Sequence, residues 1–133
     1  MLAALEALVK LESPTEDLAA CQDVVRLASE LATTILGTPA QIRDVNGRPV
    51  FWWGAENPDV VVLAHLDTVW PKGSFTPLWK VEGNKATGPG IFDMKAGFIQ
   101  ALYAMKGITG SAALVATTDE ETGSATSREF IKE

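Results

Sequence analysis

The 133-residue sequence predicts an α/β fold with a mixed, mostly parallel β-sheet. Two apolar runs, Asp59–Ala64 and Ala112–Thr117, have the composition of strands that are buried on both faces of a sheet. Between them, the segment Met94–Lys106 places its apolar residues on one helical face. Strand, helix and strand in this order are typical of a parallel βαβ unit, so we expect the two strands to run parallel in one sheet.

The N-terminal part of the chain has the pattern of two helices. Leucine and valine repeat at helical spacing over Leu2–Glu12, which predicts a short amphipathic helix. A second helix is predicted to begin at Ser13-Pro14-Thr15-Glu16, with Ser13 as its cap and Pro14 in its first turn, and to end at Gly37. Cys21 lies on the apolar stripe of this helix, so we expect it to pack in the core rather than to act in redox chemistry.

A hairpin is predicted between the helices and the first buried strand. Its strands are Gln41–Val45 and Pro49–Trp53, joined by Asn46-Gly47, two residues that tolerate the positive φ angles of a tight turn. The last residues, Ala125–Glu133, have the pattern of a further helix.

Composition excludes several classes of protein. Eleven Lys and Arg against seventeen Asp and Glu give a formal net charge of −6, which argues against a nucleic-acid partner and against a polybasic membrane module. One cysteine cannot form an intramolecular disulfide framework or a cysteine-built zinc finger, and it favours a reducing compartment. The N-terminus lacks a basic region and no apolar run approaches the ~20 residues that span a bilayer. We therefore expect a cytoplasmic domain with no membrane partner.

Polar residues interrupt the sequence where the first buried strand ends. His65, the one histidine of the chain, is followed two positions later by Asp67. Side chains at this spacing point to the same side of a strand, so an imidazole and a carboxylate converge at the sheet edge where α/β proteins bind ligands. A carboxylate in this position fixes the tautomer of a metal-binding histidine. A purely structural His–Asp hydrogen bond is the alternative.

A glycine-rich stretch with Gly83, Gly88 and Gly90 precedes Asp93 and the predicted helix. Asp93 could therefore be a metal ligand or only the cap of that helix. A phosphate-binding loop is a third interpretation, but neither nucleotide-binding glycine motif is present.

Three acids, Asp119, Glu120 and Glu121, follow the second buried strand. A solvated surface turn would explain them, whereas a divalent cation would offset their mutual repulsion. In a right-handed βαβ unit the two strand ends and the helix start lie on one edge of the sheet. His, Asp and Glu together suit zinc, with cobalt or manganese as reasonable substitutes.

Three motifs in this order, HLDTV, GPGIFDMKAG and TDEETGS, resemble the two-zinc metallopeptidase family. The family includes glutamate carboxypeptidase, peptidase T, acetylornithine deacetylase and succinyl-diaminopimelate desuccinylase, and the motifs look most similar to the glutamate carboxypeptidase branch. The likeness runs from about Val60 to the end of the chain. It implies a three-layer α/β/α catalytic domain of the zinc-peptidase type, of which residues 1–133 form the N-terminal portion, without the inserted dimerisation domain.

The resemblance also implies a role for each residue of the motifs. His65 would bind one metal ion, Glu121 would bind the other, and Asp93 would bridge both. Asp67 would orient His65, and Glu120 would be the general base that takes a proton from the attacking water. A cis peptide bond after Asp93 is a further feature of the family.

The implied function is zinc-dependent hydrolysis of a C-terminal peptide or N-acyl amide bond. The substrate would be a small peptide or an N-acyl amino acid, and association into a homo-oligomer is compatible with it. The resemblance implies three protein ligands for each metal ion, so each ion would need one more. These two missing ligands would be an acidic residue and a histidine, and we expect both of them beyond Glu133. The alternative is a folded but catalytically incompetent fragment that binds metal weakly or associates with itself through the sheet edge.

Overall fold

The computed structural model describes residues 1–128, which form helices on one face of a four-stranded sheet, with a separate two-stranded hairpin. The helices are α1 (Leu2–Lys10), α2 (Leu18–Leu36) and α3 (Ala96–Ala104), and the strands are β1 (Gln41–Val45), β2 (Arg48–Gly54), β3 (Val60–His65), β4 (Lys80–Glu82), β5 (Lys85–Thr87) and β6 (Ala112–Thr117).

The main sheet is mixed and has the strand order β1-β2-β6-β3. Strands β3 and β6 are parallel neighbours with α3 between them in the chain, which confirms the βαβ unit. The β1–β2 and β2–β6 pairs are antiparallel. The expectation of a mostly parallel sheet is therefore corrected for residues 1–128, because the hairpin strand β2 pairs directly with β6.

The three helices pack on the same face of the sheet. Phe51 and Leu114 from the strands meet Leu8, Val25 and Phe98 from the helices in one buried cluster. The rings of Phe51 and Phe98 are in edge-to-face contact, with centroids 5.2 Å apart. Within residues 1–128, the helices α1–α3 form one helical layer of the predicted three-layer arrangement.

Strand β6 is buried along its whole length, as predicted, but β3 is not. Val61 is 51% exposed and Leu63 is 46% exposed. The prediction that β3 is buried on both faces is therefore wrong for this structure, because β3 is the edge strand of the described sheet and α1–α3 cover only its other face.

The segment Ser13–Glu16 does not begin the second helix. Helix α2 begins at Leu18, and its N-cap is Asp17, whose side chain accepts a hydrogen bond from the Ala20 amide at 2.9 Å. The Ser13 hydroxyl instead donates to the Leu66 carbonyl at 2.6 Å. The predicted capping role is wrong because this segment pairs with the chain that follows β3.

Other local predictions are confirmed. Helix α2 ends at Gly37, which has a φ of 82°, and the turn residues Asn46 and Gly47 have φ angles of 54° and 81°. Cys21 is fully buried in the core. Of the predicted C-terminal helix, residues 127 and 128 are helical and 129–133 lie outside the described residues. Among the described helices, none is both long and apolar enough to cross a membrane.

Candidate metal centre

His65 is buried at the carboxyl end of β3 and directs its two ring nitrogens to different partners. Nδ1 lies 3.1 Å from the carbonyl oxygen of Asp67. Because a carbonyl only accepts hydrogen bonds, Nδ1 carries a proton and donates it there. Nε2 lies 3.0 Å from Asp93 Oδ1 and 3.9 Å from Glu120 Oε2. Without a metal ion Nε2 donates to Asp93, and once deprotonated it is the ring nitrogen that is free to bind an ion beside the carboxylates.

Asp93 reaches this position from a distorted turn, Ile91–Lys95, that precedes α3. Its φ and ψ angles of −121° and 99° are extended, and its side chain is 71% exposed. Asp93 does not cap α3, because the N-cap position of that helix is Lys95 and no side chain makes a capping hydrogen bond there. The peptide bond between Asp93 and Met94 is cis. Lys95 follows, fully buried, and its Nζ donates to the Leu8 and Leu11 carbonyls at the end of α1 at 2.9 and 3.1 Å.

Glu120 and Glu121 lie in a 3₁₀ turn immediately after β6. Together with His65 they offer ligand atoms that all lie within 4.8 Å of one another. Asp119 shapes this turn from inside the protein, because its Oδ2 accepts hydrogen bonds from the amide and the hydroxyl of Thr126, both at 2.8 Å. The two glutamates are therefore held at the sheet edge beside His65.

Asp67 lies beneath the other residues and is fully buried. Its Oδ2 accepts from the Thr15 hydroxyl at 2.7 Å and from the Glu121 amide at 3.3 Å, and its Oδ1 lies 3.3 Å from His65 Nδ1. Burial alone would raise the pKa of Asp67, but these hydrogen bonds hold that pKa below its usual value. Asp67 is thus a buried carboxylate in contact with both strand ends of the site.

The charges of the site are strongly coupled. Burial disfavours the charged imidazole, but the hydrogen bonds from His65 to Asp67 and Asp93 raise its pKa to about 9. Burial raises the pKa of Glu121, and the negative charges of Asp93, Asp67 and Glu120 add to this effect. Four carboxylates around one histidine are an arrangement that additional positive charge would stabilise.

The donor set fits a zinc ion. Imidazole nitrogen and carboxylate oxygen are both zinc ligands, and two ligand atoms on one tetrahedral ion lie roughly 3.3 Å apart. The distance of 3.0 Å from His65 Nε2 to Asp93 Oδ1 is close to this value, and Glu121 offers an oxygen within 4.8 Å of a His65 ring nitrogen. The hydrogen bond from Nδ1 to the Asp67 carbonyl supplies the outer support that zinc-bound histidines have.

Two cavities meet at Asp93. One has a volume of about 280 Å³ and is bordered by His65, Asp93 and Glu120. The other, of about 370 Å³, is lined by Asp93 and Glu121 together with the apolar residues Val69, Trp70 and Phe92. The carboxylates of the site therefore border open space in two cavities.

The structure brings together all five residues that the motifs singled out, and it adds supports that the sequence interpretation missed. Thr15 and Lys95 are two of them, and Asp119 is a third that was noted only as part of an acidic run. Thr15 was assigned to a helix start, and its contact with Asp67 spans 52 residues of sequence. Lys95 carried one local signal, a charged residue in the first turn of an otherwise apolar helix.

Comparison with known proteins places the chain in a class. Residues 61–133 match the model of Peptidase family M20/M25/M40, which is more than half of the chain. The chain belongs to this family.

Among individual relatives, carboxypeptidase G2 of Pseudomonas sp. (strain RS-16) is 38% identical over 88 residues, covering 60% of this chain and 21% of that protein. Two solved structures share the fold at 19% identity over 98% of this chain. They are an M20 family metallo-carboxypeptidase, Sso-CP2, from Sulfolobus solfataricus (TM-score 0.76) and human carnosine dipeptidase 1 (TM-score 0.75). The chain spans 33% and 34% of their lengths.

Proposed function

We propose that the protein to which this chain belongs is a zinc-dependent metallopeptidase or amidohydrolase of the glutamate carboxypeptidase type. It would hydrolyse a C-terminal peptide bond or an N-acyl amide bond in a small peptide or N-acyl amino acid. One observation carries the proposal: His65 Nε2 lies 3.0 Å from Asp93 Oδ1 at the same sheet edge as Glu120 and Glu121. Family membership and the likeness to a carboxypeptidase support it.

His65, Asp93 and Glu121 would hold the metal ions, with Asp93 shared between them. When bound, the ions polarise the scissile carbonyl and lower the pKa of water towards neutrality. Asp67 would keep the proton on His65 Nδ1, so that Nε2 stays available as a ligand. Co²⁺ or Mn²⁺ would be acceptable substitutes for Zn²⁺.

Glu120 would be the general base. Its side chain is 49% exposed and borders the 280 Å³ cavity beside His65, so it can reach both solvent and a bound substrate. Glu120 Oε2 would accept a proton from the attacking water and then donate it to the nitrogen of the leaving amine. Its neighbour Glu121 is held by a backbone hydrogen bond to Asp67, which suits a residue with a fixed ligand role.

A second candidate concerns residues 1–133 acting alone. The chain covers about a third of each solved relative, so these residues would be the N-terminal portion of a single catalytic domain. Val61 and Leu63 are exposed on the edge strand β3, which favours association of two copies. By this proposal the isolated chain binds metal but does not turn over substrate.

We also propose a cytoplasmic location, since the single cysteine is buried and reduced.

A cobalt titration of the 133-residue chain tests the metal site. Visible absorption of bound Co²⁺ is recorded for the wild type, for Asp93→Asn and for the exposed control Asp59→Asn. We expect binding by the wild type and the control, and an affinity at least about tenfold weaker for Asp93→Asn, because a shared ligand is lost. Equal affinity in all three proteins would contradict the proposed site.

A hydrolysis assay of the wild-type chain and of Glu120→Ala decides whether the isolated chain is active. With Zn²⁺ or Co²⁺ added, we expect negligible hydrolysis of an acyl-glutamate substrate by residues 1–133 alone. Rapid hydrolysis that disappears in Glu120→Ala would reject the second candidate and show that this chain is itself an active peptidase.

A further inference from the structure

The strongest feature that the proposed function leaves unexplained is the hydroxyl of Thr15. Its Oγ1 donates to Asp67 Oδ2 at 2.7 Å. Thr15 is 4% exposed and Asp67 is fully buried, so no water competes for this contact. A hydrogen bond to a buried carboxylate is about twice as strong as one between neutral groups.

Thr15 is itself held rigidly by backbone contacts on both sides. Its amide donates to the Thr68 carbonyl at 3.3 Å, and the Thr68 amide donates to the Ser13 carbonyl at 2.9 Å. The Arg48 guanidinium donates to the Thr15 carbonyl at 2.7 Å and to the Thr118 carbonyl at 3.2 Å. The hydroxyl therefore reaches Asp67 from a fixed backbone that is tied to the chain after β3 and to the end of β6.

The two oxygens of Asp67 have separate tasks. Oδ2 receives Thr15 Oγ1 and the Glu121 amide, whereas Oδ1 lies 3.3 Å from His65 Nδ1. A carboxylate is planar, so fixing Oδ2 also fixes the direction of Oδ1. Without the hydroxyl, Oδ2 would keep only the longer contact with the Glu121 amide, and the carboxylate could rotate away from His65.

We propose that Thr15 is a positioning residue of the metal centre, which acts through Asp67 on His65 and on the backbone of Glu121. This inference rests on the proposed function for its purpose, but the contact itself is independent of any metal. It assigns a role in the site to the N-terminal segment, which lies 50 residues before the first metal-binding motif.

The test compares three variants of the 133-residue chain. Thr15→Val keeps the shape of the side chain and removes the hydroxyl, and Thr15→Ser keeps the hydroxyl. Thr118→Val is the matched control, because it removes another fully buried threonine hydroxyl, one that donates to the Pro49 carbonyl. Urea unfolding establishes that each variant is folded under the conditions of the measurements.

Two measurements are made on each folded variant. The ¹⁵N and ¹³C chemical shifts of the His65 ring are recorded without metal, and they are unambiguous because the chain has one histidine. Cobalt affinity is then measured by titration. We expect Thr15→Val to shift the ring signals and to bind Co²⁺ about tenfold more weakly, whereas Thr15→Ser and Thr118→Val stay close to wild type.

The outcomes separate the two proposals. If Thr15→Val has wild-type ring signals, or if Thr118→Val changes them as much, Thr15 does not position the site. If the wild type binds no Co²⁺, the proposed metal centre fails, and the ring signals alone then decide whether Thr15 positions His65. If Thr15→Val is unfolded, Thr15→Ser alone is compared with wild type, and a changed ring signal in a folded Thr15→Ser overturns the proposal.

Discussion

The two ring nitrogens of His65 have different partners, one in the backbone and one in the proposed metal site. Nδ1 is occupied by the Asp67 carbonyl at 3.1 Å, and Nε2 faces Asp93 at 3.0 Å. Asp67 divides its oxygens in the same way, with Oδ2 towards Thr15 and Oδ1 towards His65. In both residues one atom is fixed by a buried contact, so the orientation of Nε2 in the proposed metal site depends on hydrogen bonds inside the protein.

Glu120 and Glu121 are neighbours with different surroundings, and conservative substitutions should separate their roles. Glu121→Gln is expected to weaken Co²⁺ binding about tenfold or more, because it removes a proposed ligand. Glu120→Gln is expected to change the affinity by less than about threefold, because a general base is not needed to hold the ion. Cobalt titration of both variants measures this difference.

The same pair of variants can reject the assignment. Both glutamates offer an oxygen within 4.8 Å of a His65 ring nitrogen, so this distance does not distinguish their roles. If Glu120→Gln loses most of its affinity for Co²⁺ and Glu121→Gln keeps wild-type affinity, Glu120 is the ligand and Glu121 is the general base.

At the scale of secondary structure, Lys95 anchors the turn before α3 to helix α1. Its Nζ donates to two carbonyls that the end of α1 leaves without helical partners, those of Leu8 and Leu11. Burial lowers the pKa of Lys95 to about 8, so the contact costs desolvation of the ammonium group but satisfies one buried and one partly buried acceptor. This joins α1 to the turn that presents Asp93.

Replacing this lysine should therefore destabilise the fold. We expect Lys95→Met to lower the free energy of unfolding by about 2 kcal/mol, because the alkyl chain is kept while two carbonyls lose their donor. The exposed control Lys85→Met should change it by less than about 0.5 kcal/mol. Urea denaturation of both variants provides the measurement, and equal stability of Lys95→Met and wild type would show that other donors replace Nζ.

The elements that the sequence predicted correctly have local causes. The Asn46-Gly47 turn, the end of α2 at Gly37 and the βαβ order all follow from residues close together in the chain. The interpretation of Ser13-Pro14-Thr15 failed because its partners, Leu66–Thr68, are more than 50 residues away. A serine that bonds to a distant strand has the same local pattern as a helix cap.

Across the whole molecule, the convergence of the motifs and the burial of β6 were predictable, whereas the exposure of β3 was not. The parallel register that pairs His65 with Thr117 brings the ends of β3 and β6 together, as the βαβ pattern implied. The exposure of Val61 and Leu63 depends on which elements cover the second face of the sheet, and apolar composition carries no information about that.

The ionisation of Cys21 should make the free energy of unfolding of the whole molecule depend on pH. Burial, reinforced by the charge of Asp67, raises the pKa of its thiol from 9.0 to about 11. In the unfolded chain the thiol ionises first, so the stability due to the neutral buried thiol is complete below pH 9 and is lost as the pH rises towards 11. We therefore expect the free energy of unfolding in urea to fall more over this range for the wild type than for Cys21→Ala. Comparing the two proteins removes the titration of groups that do not interact with the thiol. An identical pH dependence would mean that the thiol is ionised as readily in the folded chain as in the unfolded one.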